Sequence, residues 1–440
     1  MSRPIGIDLF AGAGGLSLGF EQAGFLVAAA VEIDPIHGAA HKFNFPDCAV
    51  LPRSVVGLSG AEIRKVAGLG DSNIDVVFGG APCQGFSLMG QRALDDPRNA
   101  LVGEFVRIVS ELRASYFVFE NVKGLTVGEH KAFLAELIEA FECAGYNVRL
   151  PWRVLNASAY GVPQERERLI LFGARAGLPL PEYAPATTRA AGSPATIGAL
   201  PEGPSCRDAL GDLPDAEEFE ALIKRDWVKT SAWGKPSRYA RLMRCEDPEG
   251  WYFGYERKWD STVLTSSMRS DHTEISRRRF METEGGSTEP ISRFLKLDPD
   301  GVSNTLRAGT DAARGAFTSP RPIHYAKPRC ITVREMARIH GFPDWFRFHE
   351  TKWHGARQIG NAVPPPLARA VAGSVMAALG VRPRKPKTIV ALGDEALLRM
   401  GMAAAAAHWG IEIPIAKRNQ KSGAKKRTQH EVEAALQARF

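Results

Sequence analysis

The apolar run Ile5-Gly6-Ile7-Asp8-Leu9-Phe10 gives way to Ala11-Gly12-Ala13-Gly14-Gly15, and a helical stretch follows from Leu16 to about Ala23. Strand, glycine turn and helix in this order form the opening unit of a nucleotide-binding α/β sheet, because missing side chains let a ligand approach the backbone. A second strand, near Phe25 to Val31, ends in Glu32-Ile33-Asp34. An acid roughly 20 residues beyond the glycine turn is placed to bind ribose hydroxyls. An ordinary turn and a surface acid would read the same way, and nicotinamide, flavin and S-adenosylmethionine sites all use the pattern. The turn alone therefore leaves the cofactor open.

Ile74-Asp75-Val76-Val77-Phe78-Gly79-Gly80 reads as a buried strand ending in two glycines, apolar as a parallel strand covered on both faces must be. Ala81-Pro82-Cys83-Gln84-Gly85-Phe86-Ser87 follows. The glycines permit a tight loop, the proline stiffens it, and the residue presented is a cysteine, a strong nucleophile once ionised. Structural cysteines outnumber catalytic ones, so the neighbours decide. Tyr116-Phe117-Val118-Phe119 is another apolar run, ending in Glu120-Asn121-Val122. Between the two, Leu101, Phe105, Ile108, Val109 and Leu112 repeat at helical spacing, which completes a crossover unit. Residues just past the carboxyl ends of strands line one crevice in a doubly wound sheet, so Cys83 and Glu120 become neighbours although 37 positions apart. The charged run Val162-Pro163-Gln164-Glu165-Arg166-Glu167-Arg168 would ordinarily be a solvated turn. Here it precedes the strand Leu169-Ile170-Leu171-Phe172, expected at the edge of the same sheet.

With these residues in place the chain resembles the DNA cytosine-5 methyltransferases. Asp8-Leu9-Phe10-Ala11-Gly12-Ala13-Gly14-Gly15 is similar to that family's first motif, and Pro82-Cys83-Gln84 to its nucleophile motif. Glu120-Asn121-Val122 resembles its third catalytic element, and Gln164-Glu165-Arg166-Glu167-Arg168 its arginine motif. Thr332-Val333-Arg334-Glu335-Met336-Ala337-Arg338 leads into Gly341-Phe342-Pro343, and Gln358-Ile359-Gly360-Asn361-Ala362-Val363-Pro364-Pro365 resembles the closing motif. One such motif could arise by chance; six in the family's order are specific. The resemblance implies an α/β fold, a Rossmann-like S-adenosylmethionine-dependent methyltransferase sheet with a smaller, irregular target-recognition domain.

It also implies roles. Cys83 would add to carbon 6 of a cytosine flipped out of the duplex at a cost of a few kcal/mol. Glu120, its pKa raised by burial, would donate to ring nitrogen 3. Arg168 would meet the pyrimidine carbonyl oxygen, while Asn121 and Arg166 hold the loop and the Glu in place. The cofactor implied is S-adenosyl-L-methionine, with Phe10 against the adenine, Glu32 on the ribose and Asn361 near the methionine end. Ala11, Gly12, Gly14, Ile33, Pro82, Leu101 and Ala362 complete the expected cofactor site. Gln84, Ser87, Arg92 and Arg98, in the segment around the nucleophile, are expected to contact double-stranded DNA. There is one departure. Family members usually carry an acid for the adenine amino group, whereas the aligned stretch here is Arg53-Ser54-Val55, leaving Ser54 as a weaker acceptor.

Composition sets limits. A chain of 440 residues, 44% apolar and 24% charged, suffices for two domains. No secretory signal precedes Ile5 and no apolar stretch is long enough to span a membrane. Six scattered cysteines without a CxxC pair argue against zinc, as does the lack of a partner for His37 and His41, and suit a reducing cytoplasm. The expected location is cytoplasmic and nucleoid-associated. Residues 381–440 hold 12 Lys and Arg against 5 Asp and Glu, so the entire formal excess of +7 lies there. A phosphate-binding extension and a solvated tail both fit that charge, and Asp394 to Trp409 reads as helical.

The expected division is a catalytic cofactor-binding domain over 1–175, a target-recognition domain over 176–355, a return segment over 356–380 and a basic C-terminal extension over 381–440. Trp227, Trp233, Trp251, Tyr252, Tyr255 and Trp259 stand among basic residues, as on a nucleic-acid face or in a small aromatic core. The function expected is sequence-specific DNA cytosine-5 methylation by a monomer on DNA, in a restriction-modification or phage-defence setting. Two alternatives are a tRNA cytosine-5 methyltransferase and a catalytically weak DNA-binding relative. The first usually carries Cys-Phe-Thr where this chain has Cys330-Ile331-Thr332; the second would be expected to lack Cys83, Glu120 or Arg168.

Overall fold

A computed structural model describes residues 3–82, 100–128, 130–195, 198–309 and 319–413. Strands β1 (Ile5–Leu9), β2 (Leu26–Val31), β3 (Ala49–Leu51), β4 (Val76–Gly79) and β5 (Tyr116–Val122) are parallel. Two short strands, β6 (Tyr146–Val148) and β7 (Arg153–Asn156), pair antiparallel with β8 (Glu167–Arg175), which itself runs antiparallel to β5. The order is β3-β2-β1-β4-β5-β8-β6, with β7 also on β8. The strand after the charged run is therefore interior, contrary to the expectation of an edge. Its Leu169–Phe172 core is fully buried, and β6 and β7 pair along the side that an edge strand would leave open.

Side chains alternate between two cores. Val76, Phe78, Tyr116, Val118, Ile170 and Phe172 face one; Ile7, Leu9, Val77, Phe117, Phe119, Leu169 and Leu171 face the other. The middle of each of these strands is apolar because both faces are covered, and the polar Glu120 and Asn121 come at the carboxyl end of β5. The first face carries α1 (Gly15–Ala23); α2 (Pro35–Asn44) follows β2. The second carries α3 (Gly60–Val66), α4 (Ala100–Glu111) and α5 (His130–Cys143). Each fully buried Leu, Val or Phe contributes about 1.5–3 kcal/mol, so the sheet is held from both sides. Close packing is strict: a β-carbon on Gly173 of β8 would lie 1.9 Å from the ring of Phe117.

Beyond β8 regular structure thins. The segment holds α6 (Cys206–Leu210), β9 (Val228–Lys229), α7 (Arg238–Met243), β10 (Glu256–Lys258), β11 (Val263–Leu264) and α8 (Glu274–Glu282). Several of its aromatics are used internally: Trp251 stacks on Trp345, and Arg244 lies over Trp233. Charge ties it to α9 (Val333–His340), where the fully buried Arg338 binds both Asp212 and Asp344. Removing one partner of such a cluster leaves an uncompensated buried charge, so it fixes geometry strongly.

After α10 (Lys352–Asn361), α11 (Pro365–Ala378) returns to α1. The two backbones touch, since a β-carbon on Gly19 would fall 2.3 Å from that of Ala368. The chain then crosses the far end of α1, where Pro383 abuts Gly24, and β12 (Ile389–Ala391) pairs with β10. Next it follows α2 backwards: Gly393 N donates to Phe43 O, Leu397 and Leu398 pack with Ala39, Ala40 and Phe43, and Trp409 Nε1 donates to Pro35 O. The helix expected over Asp394 to Trp409 is broken into a 3-10 turn, Glu395–Leu398, and α12 (Met402–Trp409), with Gly401 as the N-cap between them.

Candidate active site

The strand order reverses between β1 and β4, the point at which sheets of this kind take a ligand beyond the carboxyl ends of the strands. Phe10, the first residue past β1, has φ of 62°, a left-handed conformation that costs a non-glycine residue about 1–3 kcal/mol. Gly12 and Gly14 also have positive φ, and a β-carbon on Gly14 would lie 2.5 Å from the Phe45 ring. The turn is fastened to the end of β2: Ala11 N donates to Val31 O, and Gly12 N to Oε2 of Glu32 at 2.8 Å. Oε1 of Glu32 accepts from Asp34 N at 2.8 Å. Both oxygens are anchored, and each retains a second lone pair for a hydroxyl donor. Burial raises the Glu32 pKa.

The other expected cofactor residues lie at the ends of several elements. Ile33 is 57% exposed, an open apolar surface next to Glu32. Leu101 is half-buried at the start of α4. Ser54 lies just past β3, and its hydroxyl already accepts from Val56 N at 3.1 Å. From the other side Ala362, with Asn361 exposed next to it, closes on the turn: a β-carbon on Gly15 would meet Ala362 Cβ at 2.8 Å and Val363 O at 2.5 Å. The anchored carboxylate, left-handed turn and exposed apolar side chain fit an adenosine-bearing cofactor. Beneath the turn, the buried Asp8 accepts from Ser17 Oγ at 2.6 Å and is pushed up to about 8 by burial.

The chemical centre lies one strand across. Glu120 is on β5 beside Gly80 at the end of β4, and Oε1 meets Nε of Arg168 at 2.8 Å. Burial raises the Glu120 pKa, against the pull of Arg168 and Arg166. Asn121 donates to Ala81 O at 2.9 Å, fixing the chain two residues before Cys83. Pro82 is exposed. Cys83 itself, with Gln84, Ser87, Arg92 and Arg98, lies outside the described residues.

Arg166, expected to hold the loop and the Glu in place, acts on Glu120 through its charge and makes its hydrogen bonds elsewhere. It is buried, and its guanidinium donates to Leu306 O at 3.0 Å and Gly360 O at 2.8 Å, binding the arginine motif to the closing segment. Burial, and Arg168 beside it, lower its pKa well below the usual value. Sequence reasoning missed three participants here: Gln164 as a site residue, His340, and the segment 303–306. Ser303 exchanges backbone hydrogen bonds with Pro163 and Glu165, and Leu306 N donates to Oε1 of Gln164. No short-range signal in Ser303 to Leu306 announces this pairing. Among the described residues no group of three or more His, Cys, Asp or Glu could hold a metal ion, and no helix is long and apolar enough to cross a membrane.

Comparison with known proteins matches this geometry. The profile for C-5 cytosine-specific DNA methylases aligns with residues 5–377. Type II methyltransferase M.XorII of Xanthomonas oryzae pv. oryzae is 59% identical over 421 residues, 96% of each chain. Type II methyltransferase M.AgeI of Thalassovita gelatinovora is 33% identical, over 85% of this chain and 99% of that one. Among solved structures, a chain described as a DNA modification methyltransferase encoded within an E. coli prophage superposes with a TM-score of 0.67 at 31% identity, over 86% of this chain and 100% of that one. The S. pombe Dnmt2 methyltransferase, at 15% identity and a TM-score of 0.50 over 86% of this chain and 100% of that one, shares the fold.

Proposed function

The chain belongs to the C-5 cytosine-specific DNA methylase family, and from that premise we propose how its residues divide the reaction. It is a sequence-specific DNA cytosine-5 methyltransferase that uses S-adenosyl-L-methionine. Cys83 adds to carbon 6 of the flipped cytosine; the sulfur–carbon bond forms as the 5,6 double bond gives up its electrons and carbon 5 becomes nucleophilic. Glu120, its pKa raised by burial, is the proton donor to ring nitrogen 3 and offsets the charge that would otherwise build there. Arg168 orients Glu120 through the 2.8 Å contact and is the donor for the carbonyl oxygen. Asn121 steadies the cysteine loop through Ala81. S-adenosylmethionine supplies the methyl group, held by Phe10, Ala11, Gly12, Gly14, Glu32, Ile33, Ser54, Pro82, Leu101, Asn361 and Ala362. Loss of the carbon 5 proton and expulsion of the Cys83 thiolate restore the ring. Gln84, Ser87, Arg92 and Arg98 contact the duplex beside the base.

The observation that carries this reading is Glu120, its side chain only 13% exposed, seated against Gly80 and paired with Arg168 next to the strand that leads into Cys83. The relatives named Type II methyltransferases favour a modification enzyme acting beside a restriction nuclease; we propose in addition that it works as a monomer on DNA, in the cytoplasm and associated with the nucleoid. Expression in cells lacking cytosine methylation, followed by bisulfite sequencing, tests the whole. Methylcytosine should appear in one sequence context with wild type and vanish with Cys83→Ser. The reading fails if folded wild type leaves no methylation, or if Cys83→Ser methylates as well.

A further inference from the structure

His340 stands at the junction of the arginine motif and the closing segment, fully buried in a network whose donors and acceptors can be assigned. Oε1 of Gln164 accepts from Leu306 N at 3.0 Å, so the amide nitrogen is the end turned to His340, 3.0 Å from Nδ1. That nitrogen can only donate, which makes Nδ1 an acceptor. Nε2 then carries the ring proton and donates to Ala362 O at 3.1 Å. All three bonds are satisfied by one arrangement, a neutral imidazole in the Nε2–H tautomer, and by no protonated form. A proton on Nδ1 would face the Gln164 amide hydrogens, and turning that amide would cost the Leu306 bond.

The two ends of this relay matter. Gln164 is two residues before Arg166 and four before Arg168, which meets Glu120. Ala362 closes against the glycine turn at Gly15. Arg166 runs parallel to the relay, from the same loop to Gly360 O. Resting on the site reading above, we propose that His340 is a positioning residue: through Gln164 and Ala362 it locks the closing segment over the cofactor turn in register with the arginine motif, whose Arg168 meets Glu120. It touches neither substrate nor cofactor. It acts by holding one neutral tautomer, which passes a hydrogen-bond donor from the arginine motif to the cofactor side.

The full-length enzyme and a duplex carrying its mapped target test this, with active sites counted by covalent trapping on 5-fluorocytosine DNA. His340→Phe keeps bulk but cuts both bonds, Gln164→Leu cuts the first from its other end, and His340→Gln restores one acceptor and one donor. The first two should each raise the KM for S-adenosylmethionine about tenfold per active site, the loss expected when a buried polar partner is orphaned. The KM for DNA should hold within about twofold, and the double variant should be no worse than either single, as for members of one chain. His340→Gln should return the KM to within about threefold of wild type. A mere packing role would lower the yield of active sites and leave the KM per site unchanged. The inference is overturned by an unchanged cofactor KM in Gln164→Leu, which also decides the matter should His340→Phe not fold, or by effects that multiply in the double variant. Wild-type enzyme without methyl transfer would sink the site reading first, and an active wild type with unmoved KM values sinks this inference alone.

Discussion

A β-carbon built on Gly80 would lie 2.4 Å from Oε2 of Glu120. This glycine, one residue past β4, thus makes room for the carboxyl, and the 2.8 Å contact with Arg168 stops that carboxyl from swinging away.

Gly80→Ala should therefore displace Glu120 from ring nitrogen 3 without disturbing the sheet. Removal of one aligned donor in a preorganised site costs about 10²–10³ in rate. Tritium transfer should fall by that order while the thermal midpoint stays within a few degrees; an unchanged rate would mean the carboxyl has another seat.

Ser54→Asp should tighten cofactor binding. The Ser54 hydroxyl already accepts from Val56 N. A carboxylate could keep that turn with one oxygen and offer the other to the adenine amino group. A charge-assisted bond exceeds a neutral one, for a gain of about 1–2 kcal/mol. Calorimetric titration with S-adenosylmethionine reads the difference, and equal or weaker binding would remove Ser54 from the adenine position.

Two truncations separate the parts of the C-terminal segment. Stopping after Leu379 strips Leu397, Leu398, Ala405 and Ala406, all buried, and should lower the thermal midpoint by several degrees. Stopping after Ile413 removes Lys417, Arg418, Lys421, Lys425, Lys426, Arg427 and Arg439 against Glu431 and Glu433, a net of 7 − 2 = +5. That shorter cut should flatten the dependence of DNA affinity on salt, because fewer counterions are released. Equal slopes with and without the last residues would show them to be a solvated tail.

Stability should rise with pH between about 4.5 and 6.5. Burial pushes His41 down to about 3 and His272, His324 and His354 to about 4, whereas an unfolded imidazole titrates near 6.5. Below 6.5 the unfolded chain binds protons that the folded one refuses, so acid favours unfolding. Asp8 works in the opposite direction: its folded value of about 8 makes the native state the better proton acceptor from about 4 upward. Glu32, Glu120, Asp226 and Glu350 are raised by burial as well, while His340 and His349 are lowered with the other imidazoles, so six depressed histidines against five raised carboxyls leave the sum rising. Thermal midpoints across that range check the slope, and a flat or falling profile would mean the imidazoles titrate in the fold.

Legibility followed the range of the interactions. The strands and the glycine turn were readable because apolar runs and glycines act over a few residues. Cys83 and Glu120 were readable as neighbours because parallel strands deliver their carboxyl ends to one side. The antiparallel entry of β8 was missed, since strand direction depends on the short β6 and β7, whose sequences are barely apolar. The resemblance assigns Arg166 to the loop and the Glu, and nothing local announces that its guanidinium also reaches carbonyls 140 and 194 residues away. The glycine at 360 makes sense only beside Ala308 N, which would lie 2.4 Å from an added β-carbon. Partners so distant leave no trace in local pattern.

The pairing of β10 with β12 bears on how such a chain could acquire a new target sequence. Glu256–Lys258 lies within the irregular segment, whereas Ile389–Ala391 belongs to the strap that continues along α2 to Pro35. A graft that exchanged the middle of the chain alone would strand one edge of that ladder and leave its backbone groups without partners. Viable chimeras should therefore retain the host's 256–258, or import the donor's 388–409 with it, so that the unit of exchange is two pieces far apart in sequence.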